Sequence, residues 1–585
     1  MTDSSTGGIP GSKFWLFAAS LAIAAAFVLS LCFVFEAKWE TNDDVAMSMV
    51  AHGYGVAAFG SPNIIFSNVL WGCLVRSIPQ IDGVLGYSIV TLGVLIIVGT
   101  ILLFGLYRLG AGYAASLSVL ALLLVRPVLF PQFTINAGLL LVAAIICFHL
   151  FARHNNLQAL LIGCVLAFSS FLVRSNEFFL VLFGALPLLP WRTLLRSRSS
   201  QVAILSLIIV IAVSAAIDHK AYQGQQWKAF NELNPVRTPF TDFGADEHLK
   251  NRPDILGRYG FSTNDIDLIR EWFFADPEIV NPPTLRVMLA ELGPLPAQGN
   301  SIYKGWDGVL TLWDPKLLPL VLAAMLLALL RPSWQVAASW GLCVAAIFVI
   351  GVSGRPGIIR VYVPLVCLLT IAPFLVGRFS GFSWQVAASW GLCIASILAI
   401  GRSVPPGIMA TYAPLACLLI ITPFLVWQFS KWRNRLGVGL LLAAVALNSS
   451  LVFDESRAFQ IVSEQAREGL DAFPRDPIVI WGIGFPLESV YPVMGASPAA
   501  MSCHFYGLGA FTLAPFSVAF TEQQQGRGMI DLLVQEAGVP IVAQEKCLRY
   551  LETYCRERLH GEIKELSAQQ LGAIVVSRRR CEVAP

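Results

Sequence analysis

Charge is what this chain has least of. Only 13% of its 585 residues are Asp, Glu, Lys or Arg, against 56% hydrophobic residues. Soluble chains carry about 25% charged residues, so the shortfall is roughly half. That excludes a soluble enzyme, a disordered chain and a nucleic-acid binder. Other absences narrow the chemistry. No charged residue lies in the middle of any long apolar run, and intramembrane charges mark ion and proton pathways, which disfavours a coupled transporter. The 7 histidines show no HxxxH spacing and the 12 cysteines no CxxC, so a catalytic metal has no motif behind it. Neither GxGxxG nor a P-loop occurs, which disfavours a nucleotide substrate.

What is present in abundance is hydrocarbon. Mean hydropathy is +0.67. A spanning helix needs about 20 mainly apolar residues. By that rule thirteen segments qualify: 14–35, 84–106, 111–126, 135–152, 157–173, 178–190, 201–217, 315–330, 335–351, 360–377, 385–401, 408–428 and 436–452. The first is too long for a signal-peptide core and reads as an uncleaved anchor. The sequence therefore predicts an all-α polytopic bundle of about thirteen transmembrane helices.

Basic residues set the orientation. With the N-terminus (1–13) inside, the inner loops carry Lys13, Arg108, Arg153, Arg192, Arg196, Arg198, Arg331, Arg378, Lys431, Arg433 and Arg435, and no acid except Asp3. An odd span count puts the C-terminus outside. Exported segments are then the first loop at 36–83, a large loop at 218–314 and a tail at 453–585. Spans fall into a group of seven within 14–217 and six more within 315–452. The tail alternates strand-like runs (Ile478–Trp481, Pro540–Ala543, Ala573–Val576) with a helical stretch at 546–560, the pattern of a small α/β domain. Eight cysteines lie in or near spans, as small apolar fillers. Cys503, Cys547, Cys555 and Cys581 are all in the tail, where an oxidising compartment favours one or two disulfides among three pairings.

Residues 333–380 and 383–430 are a tandem repeat offset by fifty, both copies beginning SWQVAASWGLC. Each copy is a pair of spans, so the duplication adds a hairpin without inverting topology. In the second copy Arg355 and Arg360 are replaced by Pro405 and Ala410. The first copy is thus the one expected to keep working arginines.

The first exported loop begins EAKWETNDDVAMSMVAHGYG. Adjacent carboxylates at Asp43 and Asp44 can serve as a general base or hold a divalent cation, although no ligand spacing supports the cation. The structural alternative is a capping box from Thr41 to Asp44 at a helix start. Arginines at the outer ends of spans can hold the phosphate of a lipid-linked substrate: Arg126 before Pro127, Arg174 in VRSNEFF beside Glu177, and Arg360 in IRVYVP. Snorkelling, pairing with lipid headgroups or, for Arg174 with Glu177, a salt bridge across one helical turn are their bland alternatives. After the seventh span, Lys220, Trp227, Asn234, Arg237 and Asp242 can line a sugar or phosphate site, or else belong to a solvated helix and turn.

A first span, an exported loop opening on an acidic pair, six further spans and a large exported loop resemble the GT-C superfamily of membrane glycosyltransferases, which includes protein mannosyltransferases and aminoarabinose transferases. The resemblance covers roughly residues 10–217 as architecture, and members often end in an exported sugar-recognising domain. The family pair is typically Asp-Glu; Asp43 matches its base position and Asp44 departs conservatively. The local sequence also resembles uncharacterised bacterial multi-span proteins with NDD in this loop. Arg360 before Tyr362-x-Pro364 is a looser match to a basic residue near the lipid phosphate. The resemblance implies a bacterial inner-membrane transferase with no required cofactor. It would use a polyprenyl-phosphate-linked sugar, an envelope glycan, lipid or protein acceptor, and inverting displacement at the outer face. A non-enzymatic polysaccharide or lipid translocator and an O-antigen polymerase or ligase are the competing expectations.

Overall fold

The structure is a computed structural model that describes residues 10–293, 301–376, 433–468, 477–495, 498–572 and 574–583. The predicted spans at 385–401 and 408–428, with Pro405 and Ala410, lie outside the described residues.

Two compact units emerge. The first comprises residues Met1–Ala37, Val90–Val213 and Tyr303–Ser456; the second comprises Lys38–Ile89, Ser214–Ile302 and Arg457–Pro585.

The first unit is helical. Every predicted span within the described residues coincides with an apolar helix. Among those residues six helices are long and apolar enough to cross a membrane: Phe14–Val34, Gly86–Arg108, Phe133–His154, Arg198–Ala221, Trp334–Val352 and Arg435–Arg467. The Ser301–Trp313 and Leu318–Leu330 pair, bent by 86°, makes a seventh if it is one span. Four more apolar helices are shorter: Tyr113–Leu129, Leu157–Val173, Ser175–Ala185 and Ile359–Leu375. Phe133–His154 is the hub, with 89% of its apolar window buried, whereas Phe14–Val34 and Arg198–Ala221 are only 17% and 11% buried. Helices this apolar and this uncovered need hydrocarbon around them. The chain is a membrane protein on that ground.

The second unit is built from three stretches of chain that the sequence presents as separate pieces. Its tail forms a mixed five-stranded sheet in the order β2-β1-β3-β5-β4, with β1 Ile478–Trp481, β2 Phe505–Leu508, β3 Val539–Ala543, β4 Gly561–Leu571 and β5 Ile574–Val583. β1 runs parallel to both β2 and β3, while β5 is antiparallel to β3 and to β4. β1 is buried on both faces, which is why it reads IVIW without alternation. The predicted strands and the helix at 546–560, found as Glu545–Arg558, are all present; Ala573 lies outside the described residues. The free edge of β2 is met by the first loop: Gly55 N–H donates to Cys503 O (3.0 Å) and Phe505 N–H to Gly55 O (2.8 Å). The helices between Ser214 and Ile302 complete the core. Phe273 packs on Trp481 (4.9 Å) and Tyr554 (5.5 Å), and Tyr554 OH donates to Asp276 Oδ2 (2.8 Å). Of the tail cysteines, Cys555 and Cys581 form a disulfide. Cys547 is a buried thiol, its pKa pushed up to about 11 by burial.

Candidate functional site

The acidic pair sits in the first turn of the Asn42–His52 helix, after an extended Thr41, where carboxylates are favoured by the helix dipole. The helix stops at Gly53, which takes φ +76°, and a Cβ there would lie 2.5 Å from Gly60 N. The expected capping box is not formed. Thr41 Oγ1 donates to the Asp44 carboxylate (Oδ2, 3.1 Å) instead of accepting a backbone N–H. Tyr87 OH donates to the other oxygen, Oδ1 (3.0 Å). Asp44 is fully buried and fixed by two hydroxyls.

Asp43, one position earlier, is half-buried. Beside it stand residues from the other end of the chain. The short Leu487–Val490 helix of the tail packs on the Asn42–His52 helix. Its Glu488 carboxylate accepts the Asn42 backbone N–H, and burial raises the Glu488 pKa, with the charge of Asp43 adding to the rise while Lys38 opposes it. Lys38 is buried. Its Nζ donates to Ser489 Oγ (3.0 Å) and lies 3.5 Å from the centre of the Phe459 ring, a cation–π contact. Arg467 Nε donates to Ser489 O (3.2 Å). The sequence pointed to neither Glu488 nor Lys38. Glu488 carries no local signal, being one acid in PLESV, and Lys38 had only its nearness to the acidic pair.

This arrangement suits proton transfer: a half-exposed carboxylate, a second whose protonation burial favours, and a buried cation. Among the described residues no group of three His, Cys, Asp or Glu side chains is disposed around a metal.

The span-end residues belong to the first unit. Arg174 ends the Leu157–Val173 helix and opens the Ser175–Ala185 helix. Its guanidinium lies 4.8 Å from the Phe133 ring. Glu177, in the first turn of the latter helix, is buried, and its Oε1 has no hydrogen-bond partner among the described residues. Arg360 is half-buried at the second position of the Ile359–Leu375 helix. Tyr362 OH accepts the Gly357 N–H (3.3 Å), so the Tyr-x-Pro stretch shapes the turn that precedes Arg360.

Two expectations need correcting. Arg126 is already paired rather than free for a lipid phosphate: its Nη1 meets Glu455 Oε2 at 2.7 Å, and Lys316 pairs with the other oxygen at 2.7 Å. Glu455 was out of view because it lies beyond the last predicted span. Trp227 is not a sugar platform. It is buried in an aromatic cluster with Tyr222 (4.7 Å), Phe230 (5.4 Å) and Phe516 (5.8 Å).

The rest of that loop is a helix, Lys228–Asp242. Arg237 stacks on Trp272 (4.3 Å), donates to Thr241 Oγ1 (3.1 Å) and forms an ion pair with Asp242 (3.8 Å) on its own helix. Asn234 and Arg237 line a cavity of only about 10 Å³, room for about one water. Lys220 is exposed at the end of the Arg198–Ala221 helix. Arg237 and Asp242 thus brace their own helix against Trp272.

No protein-family model matches the chain, and neither a curated protein nor a solved structure matches it.

Proposed function

We propose that the chain is an integral membrane glycosyltransferase of GT-C type, moving a sugar from a polyprenyl-phosphate donor to an envelope glycan, lipid or protein acceptor. One observation carries this proposal. Asp43 is half-exposed in a helix whose next residue, Asp44, is locked by Tyr87 and Thr41, with Glu488 and Lys38 alongside. A locked neighbour fixes the helix and hence the base, which is what proton abstraction in a fixed geometry requires.

In the reaction Asp43 takes the proton of the acceptor hydroxyl. The hydroxyl oxygen forms a bond to the anomeric carbon as the bond from that carbon to the lipid phosphate oxygen breaks, with inversion. Charge on the departing phosphate calls for cations; the family resemblance points to Arg360, and Arg174 is offered by its place at the outer end of a span. The segments 36–83, 218–314 and 453–585 are then exported to the outer face of a bacterial inner membrane, with the N-terminus inside.

The test is mass spectrometry of envelope glycolipids and polysaccharide in a deletion strain carrying wild type, Asp43→Asn or Arg360→Ala. Asp43→Asn should express normally and lower transfer by about 10²–10⁴-fold. Arg360→Ala should weaken donor use by about 10–100-fold, the loss of a charge-assisted hydrogen bond, and Ala410→Arg in the second repeat should not restore it. Wild-type glycan from Asp43→Asn would end the base assignment; no missing sugar in the deletion would end the transferase.

A further inference from the structure

Beyond Arg360, the tandem repeat has no part in the proposed reaction. Between 334–352 and 384–402 the two copies differ at five positions: 344, 346, 348, 349 and 352. None of the five is buried in the first copy. The buried face of the Trp334–Val352 helix consists of Val336, Ser339, Cys343, Ile347 and Gly351. The second copy repeats each of them, as Val386, Ser389, Cys393, Ile397 and Gly401.

That face fits a tight berth within the first unit. Ser339 Oγ donates to Gly184 O (2.7 Å). A Cβ on Gly184 would lie 2.7 Å from Cys343 Sγ, and a Cβ on Gly351 would lie 2.4 Å from Lys304 O. The next helix completes the fit through Pro364 against Gly138 and Tyr362 OH on the Gly357 N–H. Pro414, Tyr412 and Gly407 repeat these three residues. Packing this close rejects most sequences, and both copies meet its demands.

The path of the chain admits either copy. Arg331, just before the first copy, lies 5.0 Å from the ring of Phe374 near its end. A Cβ on Gly437, in the Arg433–Arg467 helix, would lie 3.3 Å from Leu330 Cδ1. The first copy therefore leaves and returns beside residues 330 and 331, close to where the next helix begins. Residues 427–432, fully extended, span about 20 Å, enough to join a docked second copy to that helix.

We propose that the two copies are alternative occupants of this one berth, each chain folding with either the first or the second docked there. The first brings Arg355 and Arg360 into the fold, the second Pro405 and Ala410, so the choice adds or removes two positive charges. Val363 and Val366, both buried, are Ala413 and Ala416 in the second copy, and the lost burial makes it the minor occupant. Ala410→Arg still leaves Pro405 in the place of Arg355, so it does not rebuild the first packing. The exchange is independent of the transferase activity.

The test is thiol cross-linking of the full chain carrying Gly184→Cys, oxidised in its own membrane and read by peptide mass spectrometry. The Gly184→Cys thiol should link chiefly to Cys343 and, at about 1–10% of that yield, to Cys393. Adding Gly351→Leu, which the Lys304 carbonyl excludes from the berth, should raise the Cys393 link by about tenfold or more. Adding Gly401→Leu instead should abolish it. A chain lacking 333–382 keeps the second copy in frame and serves if Gly351→Leu does not fold; it should link to Cys393 in full and melt within a few degrees of wild type. The proposal is overturned if no Cys393 link forms in the Gly351→Leu chain, if Gly401→Leu leaves that link unchanged, or if the shortened chain does not fold.

Discussion

Asp43 and Asp44 are neighbours in sequence and separated by about 100° around their helix, and that rotation divides their roles. Asp44 turns inward to two hydroxyl donors, while Asp43 stays half-exposed beside Glu488. His52, at the end of the same helix, is a second group that position makes useful. Its Nε2 accepts the Tyr87 backbone N–H (3.1 Å). Burial, helped by the charge of Arg76, lowers its pKa to about 4. The native state therefore binds this proton less readily than the unfolded chain, whose His titrates near 6.5. The His52 contribution is fully present above about pH 6.5 and is lost as pH falls toward 4. Allowing for its partial exposure, the loss is about 2 kcal/mol. Melting temperatures across that window should fall for wild type and flatten for His52→Gln; parallel curves would remove His52 as the cause.

Between elements, packing rests on a few close approaches. A Cβ on Gly138, in the Phe133–His154 hub, would lie 2.2 Å from Pro364 Cβ on the Ile359–Leu375 helix. Small residues let membrane helices meet in this way. Gly138→Ala should cost about 1–3 kcal/mol by overpacking, seen as a lower melting temperature in detergent. Gly341→Ala, with open space around it, should be neutral or stabilising. Equal behaviour of the two would show that the approach at Pro364 is not tight. Elements themselves were legible: apolar runs gave each described span, and IVIW and PIVA gave their strands. The capping box failed because Thr41 Oγ1 donates to Asp44 Oδ2 instead of accepting a backbone N–H, while Tyr87, from the start of the Gly86–Arg108 helix, donates to the other oxygen. Arg126 and Trp227 misled for a similar reason. A sequence shows that a guanidinium or an indole is present; only the fold supplies Glu455 to one and Phe516 to the other.

At the scale of the molecule, the second unit has one core made from the middle and the tail of the chain, with the first loop joined at the β2 edge. The β-sheet face bearing Trp481 and the helix bearing Tyr554 are covered by Phe273, Asp276 and their neighbours from the middle of the sequence. Arg558 pairs with Asp265 at 2.6 Å, and Asn264 Nδ2 donates to Tyr550 O (3.1 Å). Residues 457–585 alone should therefore be molten, with poor amide dispersion and strong binding of a hydrophobic dye. Fusion to 214–302 should restore dispersion. A well-folded isolated tail would show that the middle segment only decorates it.

Sequence alone determined the membrane class, the helical spans, the tail's strands and the presence of an acidic pair, because each follows from local composition or from periodicity over a few residues. Tertiary structure alone decided that the middle and tail segments share a core which the first loop joins at the β2 edge, that Glu488 and Lys38 join Asp43, and that Asp44 is a buried anchor. Those facts depend on contacts between residues far apart in the chain, for which neither composition nor spacing leaves a trace.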